Sequence, residues 1–238
     1  MIGHYHPMTV LVRQIVSALS EQGFQVYNSP ELETEANNFD FLRVPADHPA
    51  RDSQDTFWTV DGRVLRTHTT SSQANIRATE SDSQDGSRPN PPFRVLVPGR
   101  VFRNEATDAT HLATLNQIDG IVVDEQVNLG QLLATVKLIL EIAFGQQLKI
   151  RQRPHHYPFV EPGLDIDVYF QGRWIEALGC GLIHPEILAK MDLDPDRYQG
   201  FAFGIGLDRL CMMRHGLTDI RHLTKGDLRF NQQLMVGT

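Results

Sequence analysis

The segment LDIDVYF-QG-RWIEALG, residues 164–179, constrains the fold more than any other stretch of the chain. Its two arms meet at Gln171-Gly172, a two-residue turn of the kind that closes antiparallel hairpins. The first arm alternates apolar and polar residues at strand period, with Leu164, Ile166 and Val168 on one face. Asp61-Gly62 gives a second hairpin signal, between DTFWTV and RVLRTH. FQVY (24–27), FRVLV (93–97) and LNQIDGIVV (115–123) are further strand candidates, and Pro98-Gly99 reads as a turn closing FRVLV. Helices fall before, between and after these strands. Pro7 opens the first, with Leu11, Val12, Ile15, Val16 and Leu19 as its apolar stripe and Gly23 as its stop. The clearest runs from Asn128 as cap to Gly145 as stop, its face formed by Leu129, Leu132, Leu133, Val136, Ile139, Leu140 and Ala143. A last helix pair follows the glycines of FGIG. Hairpins among helices predict an α+β fold on an antiparallel sheet, not alternating βαβ units. No internal repeat or linker divides the chain, so a single domain over 1–238 is expected, with an exposed, mobile loop at 78–92 (ATESDSQDGSRPNPP).

Charge narrows the function classes. Twenty-two basic against 29 acidic side chains leave a net −7, which excludes a broad nucleic-acid-coating surface but leaves room for a local basic site. Cys180 and Cys211, the two cysteines, sit in apolar settings and read as buried reduced thiols, not a disulfide framework or a zinc site. No apolar run approaches the ~20 residues of a membrane span. The opening MIGHYHPMTVLVRQ lacks the order of a signal peptide, so the expectation is a soluble, cytoplasmic protein without a membrane partner.

Several motif readings fail on inspection. FGIGLDR (203–209) has the first half of a dinucleotide fingerprint, but Arg209 stands where the third glycine belongs. No P-loop, HExxH, paired CxxC or GxSxG occurs. His4, His6, His155 and His156 lack ligand-like partners and read as loop or surface residues. What remains is a spread constellation. GRVFRNE places Arg103 and Glu105 two apart on one side of a strand, and an arginine there offers a planar, permanently charged fork for phosphate. Arg209 follows the pair Gly204 and Gly206, and Glu161 and Glu176 lie in hairpin segments able to offer carboxylate oxygens to Mg²⁺. Singly, each has a blander reading: a surface ion pair, a turn, a solvated carboxylate.

Their order, Phe-Arg-x-Glu, then an acidic strand at Glu176, then Gly-x-Gly-x-x-Arg, resembles motifs 2 and 3 of class II aminoacyl-tRNA synthetases. HPMTVLVRQI, PELETEANNFDFL, DHPARDSQDTFW, LRTHTTSSQ, PGRVFRNEATDATH, NQIDGIVVDE, YPFVEPG, WIEALGCGLIHPEIL and YQGFAFGIGLDRLCMM extend the likeness along nearly the whole chain, to the catalytic domain of the phenylalanyl-tRNA synthetase α chain. The resemblance implies a sheet of about six antiparallel strands flanked by helices. It implies a ligase that uses ATP and Mg²⁺ to adenylate phenylalanine or a close aromatic analogue, then transfers it to the tRNA 3′ end. Arg103 would hold the α-phosphate and carboxylate, Glu105 the adenine amino group and Arg209 the γ-phosphate. Leu115, Gly204 and Gly206 would complete the nucleotide site, and Glu176 with Glu161 would hold the metal. Trp58, His68, Thr70, Gln117 and Asp119 match positions around the substrate's ammonium and carboxylate. Tyr157, Phe159 and Ala202 match its side-chain pocket.

The chain departs from that pattern at four site positions, one of them Thr70, which with Ser71 and Ser72 stands for the family's Ser-Pro-like stretch after His-Thr. Leu115 replaces an aromatic that stacks on adenine, Asp119 replaces a glutamate one methylene longer, and Tyr157 replaces a phenylalanine, adding a hydroxyl that needs a partner if buried. The family's N-terminal coiled-coil arm and the organellar C-terminal anticodon domain have no counterpart here, which suits a fragment, a minimal form or a paralogue. Two competing readings accompany the synthetase one: an adenylating enzyme with a non-tRNA acceptor, and a non-catalytic amino-acid-binding subunit. The N-terminal helix region corresponds to the class II dimer surface, implying a homo-oligomer or a complex with a β-type subunit.

Overall fold

The computed structural model describes residues 4–76 and 89–234. Helix α1 (Pro7–Glu21) starts where the His6 ring accepts the Met8 N–H, and it buries Leu11, Ile15 and Leu19. Helix α3 (Leu129–Phe144) carries a full capping box between Asn128 and Gln131 and ends at Gly145 with φ +65°. Both boundaries match the sequence reading.

The main sheet has seven strands in the order β1-β4-β5-β9-β8-β7-β6. They are β1 (Gln25–Val26), β4 (Phe93–Phe102), β5 (Thr114–Asp124), β6 (Ile150–Pro154), β7 (Val160–Phe170), β8 (Arg173–Ile183) and β9 (Gln199–Gly206). Every pairing is antiparallel except that of the short edge strand β1, which runs parallel to β4. A separate ribbon pairs β2 (Leu32–Glu33) with β3 (Val64–Leu65). The Asp61-Gly62 turn therefore closes only a bridge between Trp58 and Val64, because the arm after it finds its partner at 32–33.

Pro98-Gly99 is not a turn. Strand β4 runs through it, paired with Ile118 and Gln117 of β5. Pro98 lies past the end of the β1 ladder, where a missing N–H breaks no strand pairing. At Gly99 an added Cβ would fall 2.1 Å from Arg66 Nη2. Arg66 is 2% exposed, its guanidinium donating to the carbonyls of Arg100, Ser29 and Pro30.

Helices α1, α3 and α5 (Leu207–His215) cover one sheet face, closing a core of residues such as Ile15, Val136, Ile139, Phe203 and Ile205. The other face carries a smaller cluster that includes Val97, Ile121, Ile183 and Leu188 of helix α4 (Pro185–Lys190). Short helices α2 (Ser72–Ile76) and α6 (Leu228–Gln233) complete the described elements. Cys180 and Cys211 are buried free thiols, as expected, and burial pushes each up to about 12. Of the segment 78–92, residues 78–88 lie outside the described residues. Among the described residues no helix is long and apolar enough to cross a membrane.

Candidate active site

A cavity of about 310 Å³ opens over the centre of the sheet, on the face opposite α1, α3 and α5. Register explains why it exists. Asp119 lies opposite Gly204, and Gly204 opposite Gly179; Ile121 lies opposite Ala202, and Ala202 opposite Gly181. Paired residues share a face, so β8 and β9 present almost no side chains there. A Cβ at Gly204 would sit 3.1 Å from Gln117 Nε2 and 3.2 Å from Asp119 Oδ1. The glycines keep backbone accessible next to the polar groups of β5.

Asp119 is the electrostatic centre. It is 2% exposed, yet three donors meet it: Thr69 Oγ1 at 2.5 Å, Thr70 Oγ1 at 2.6 Å and Gln117 Nε2 at 2.9 Å. Burial pushes its carboxyl up to about 6, against the pull of those hydrogen bonds and of Arg66. Above that pH the site holds a buried, hydrogen-bonded carboxylate, suited to an ammonium group. Its reach is the short side chain's own: Thr69 and Thr70, at a one-turn helix following His68, come to it. The sequence does not single out Thr69, since only the fold brings residues 69 and 119 together. His68 borders the same cavity with its Nδ1 lacking a protein partner among the described residues, and burial beside Arg103 pushes the ring down to about 4. The imidazole is therefore neutral near pH 7.

The apolar end is built from Tyr157, Phe159 and Ala202, together with Phe39 and Val160. Tyr157 and Phe159 pack ring to ring with centroids 5.7 Å apart. The Tyr157 hydroxyl donates to Asp165 Oδ1 at 2.8 Å, so the extra oxygen has a partner.

Of the expected site residues, the structure gathers His68, Thr70, Arg103, Gln117, Asp119, Tyr157, Phe159, Ala202 and Gly204 around this one cavity. Others lie outside it. Trp58 does not line it; it bridges to Val64 beside β3. Arg103 and Glu105 are not on a strand: β4 ends at Phe102, and the following loop is held by Arg103 N–H to Ala113 O and Asn104 N–H to Asp55 O. Leu115 shares a strand face with Gln117 and Asp119 by alternation, pairs with Val101 and rests against the core. Arg209 stands exposed in the first turn of α5, next to Gly206, and reaches the Glu176 carbonyl at 3.4 Å. Asp208 beside it is buried and accepts both the Asn116 N–H and its side-chain amide, which pins α5 to β5.

Glu161 and Glu176 are not neighbours. Glu176 pairs with Asp167, six residues along β7 from Glu161, a separation of roughly 20 Å at strand rise. Glu161 instead lies 3.6 Å from His184 Nε2. The two cannot hold one ion between them. Among the described residues no three His, Cys, Asp or Glu side chains converge as a metal cage. A magnesium ion carried by nucleotide phosphates needs only one or two protein carboxylates, and Glu176, half-exposed beside Arg209, fits that lesser demand.

Alternation also misplaces Asp165 and Asp167. By strand period they belong on the solvent side of β7, yet they are 3% and 2% exposed, because β6 lays Arg151 and Arg153 over them. Arg153 lies within 3.2 Å of Asp165, Asp167 and Glu176 alike.

The family model described as tRNA synthetases class II core domain (F) matches residues 1–234. The chain is 44% identical to a protein named phenylalanine–tRNA ligase alpha subunit from Leptospira biflexa, over 97% of this chain and 69% of that one. Proteins of the same name from Prochlorococcus marinus (strain NATL2A) and Edwardsiella ictaluri are each 43% identical, over 97% of this chain and 66% and 68% of theirs. The chain thus spans about two thirds of the length of these relatives. Among solved structures, pyrrolysyl-tRNA synthetase from Desulfitobacterium hafniense superposes with a TM-score of 0.72 at 19% identity, covering 93% of this chain and 74% of that one, a likeness of fold.

Proposed function

The chain belongs to the class II tRNA synthetase core-domain family, and from that premise we propose that it activates phenylalanine with ATP and donates it to the 3′ end of tRNA. The observation that carries this reading is the two-ended cavity: a buried carboxylate at Asp119, a ring-lined chamber at Tyr157, Phe159 and Ala202, and Arg103 at the same opening.

Asp119 takes the substrate ammonium, with Thr70 and Gln117 fixing the carboxylate's orientation. Neutral His68 offers its free ring nitrogen near the substrate carboxylate. One carboxylate oxygen then attacks the α-phosphorus of ATP; a P–O bond forms to the amino acid, and the bond to the β-phosphate breaks, releasing pyrophosphate. Arg103 stabilises the charge that builds on the α-phosphate, an arrangement in which positioning and electrostatics dominate the rate gain. Glu105 meets the adenine amino group, Arg209 the γ-phosphate, and the accessible backbone at Gly204 and Gly206 lets the nucleotide lie close to the sheet. Magnesium, when bound at Glu176 and the phosphates, supplies charge neutralisation on the leaving pyrophosphate. The relatives are named as alpha subunits; we place contact with a β-type subunit at α1 and the edge strand β1, where Val26 is 53% exposed. The reaction is cytoplasmic.

Amino-acid-dependent pyrophosphate exchange across a panel of amino acids, followed by acylation of tRNA, tests the proposal. Phenylalanine should support both. Exchange with no amino acid, in the presence of a β-type subunit, would refute adenylation; exchange without acylation would refute tRNA as acceptor.

A further inference from the structure

Tyr157, Pro158 and Val160 line two cavities at once: the site cavity, and a neighbour of about 530 Å³ whose walls include His155, His156 and His184. The tyrosine ring is thus part of the partition between an apolar chamber and a histidine-lined one. Its far end is fixed. The hydroxyl donates to Asp165 Oδ1 at 2.8 Å, and the ring lies over Gly179, where an added Cβ would meet the hydroxyl oxygen at 2.5 Å and Cζ at 2.8 Å. Asp165 is 3% exposed and is itself held, by Arg153 Nη2 at 3.2 Å and His155 Nδ1 at 3.1 Å. None of these groups belongs to the cavity's polar end at Asp119.

We propose that Asp165 is a positioning residue for amino-acid specificity: by accepting the Tyr157 hydroxyl it holds the ring as a partition and keeps that wall of the chamber closed to a para-hydroxylated substrate ring. The inference rests on the phenylalanine reading and deepens it. A substrate such as tyrosine would press a larger ring and its hydroxyl against a wall that Asp165 fixes in place, and burying a hydroxyl without a well-placed partner is costly. Freed from Asp165, the Tyr157 ring can tilt, and the chamber opens toward His155, His156 and His184. The small residue at 179 belongs to the same device, since any side chain there would push the ring off its seat. Burial and the neighbouring Asp165 and Glu176 carboxylates hold the Tyr157 hydroxyl protonated well above the ordinary tyrosine range, consistent with a donor committed to a carboxylate.

Calorimetric binding of phenylalanine and of tyrosine to the intact protein and its variants tests this. Asp165→Leu should reduce the preference for phenylalanine about tenfold, by leaving the Tyr157 hydroxyl without an acceptor. In the Tyr157→Phe background the same change should leave the preference within about twofold, because no hydroxyl remains to be held. A tenfold loss persisting in that background would overturn the proposal. Leucine beside Arg153 and His155 can also unfold the protein, so Asp165→Asn provides a second variant of the same shape that retains an acceptor oxygen. It should keep the preference within about threefold, and a loss as large as that of Asp165→Leu would count against the proposal. The ¹³Cζ resonance of Tyr157, assigned by its absence in Tyr157→Phe, should move in Asp165→Asn; an unmoved resonance would show that the hydroxyl is not on Asp165. That signal needs no substrate. A wild-type protein that binds neither amino acid would defeat the substrate reading and the specificity role with it, while the resonance would still report whether Asp165 holds the ring.

Discussion

Replacing Asp119 by asparagine should make the protein more stable and less able to bind its amino acid. Asp119 is 2% exposed and its carboxyl is pushed up from 3.8 to about 6 by burial. A carboxyl raised in the folded state binds its proton more tightly there than in the unfolded chain. Stability therefore falls as pH rises from about 4 to about 6 and stays low above that. A rise of that size corresponds to about 3 kcal/mol, an upper figure for what ionised Asp119 costs the empty protein at pH 8. Asparagine removes the charge, keeps one acceptor oxygen for the Thr69, Thr70 and Gln117 donors, and can donate to a threonine hydroxyl in return. A gain of about 1–3 kcal/mol should raise the Tm by roughly 2–12 °C at pH 8 for a chain of this length. The gap between variant and wild type should narrow as pH is lowered through 6 and vanish near 4. Phenylalanine affinity should move the other way, falling about a hundredfold at pH 8 through loss of a buried charge partner. Paired melting curves and calorimetric titrations at pH 8 and pH 5 read both effects. A variant no more stable than wild type at pH 8, or one that binds phenylalanine undiminished, would refute this view of Asp119.

Arg103→Ala should slow phenylalanine-dependent pyrophosphate exchange by about 10² or more while leaving the melting temperature unchanged, since its side chain stands exposed at the cavity mouth. Leu115→Phe should tighten ATP binding by ~0.5–1.5 kcal/mol in a calorimetric titration, the gain of an aromatic face over an aliphatic one. Ala202→Gly should raise exchange with para-chlorophenylalanine at least about tenfold relative to phenylalanine, because a single methyl closes that part of the chamber.

Local signals carried the elements well where the physics is local. The Asn128 and Gly145 ends of α3 and the Gln171-Gly172 turn, with φ of +49° and +81°, depend on a few adjacent residues and are legible in them. Pro98-Gly99 misleads because its glycine answers to Arg66, thirty-odd positions away, whose buried guanidinium needs the space. The separation of Glu161 from Glu176 follows from the length of β7, which pairing to β8 determines and composition does not. Asp165 and Asp167 have the spacing of a strand's wet side, and only the pairing of β6 covers them with arginines. At the site itself, the resemblance supplies Asp119, Thr70 and Gln117 as a group, whereas Thr69, Asp165 and Arg153 emerge only from the register of strands distant in sequence.

On this reading one cavity seats phenylalanine with its ammonium at Asp119 and its ring at Tyr157 and Phe159, beneath Arg103. A crystal structure with a non-hydrolysable phenylalanyl-adenylate analogue tests that seating. The ammonium should lie within hydrogen-bond distance of the Asp119 carboxylate, the ring between Phe159 and Ala202, and the α-phosphate on Arg103. An analogue bound with its ring outside that chamber, or with its ammonium turned away from Asp119, would contradict it.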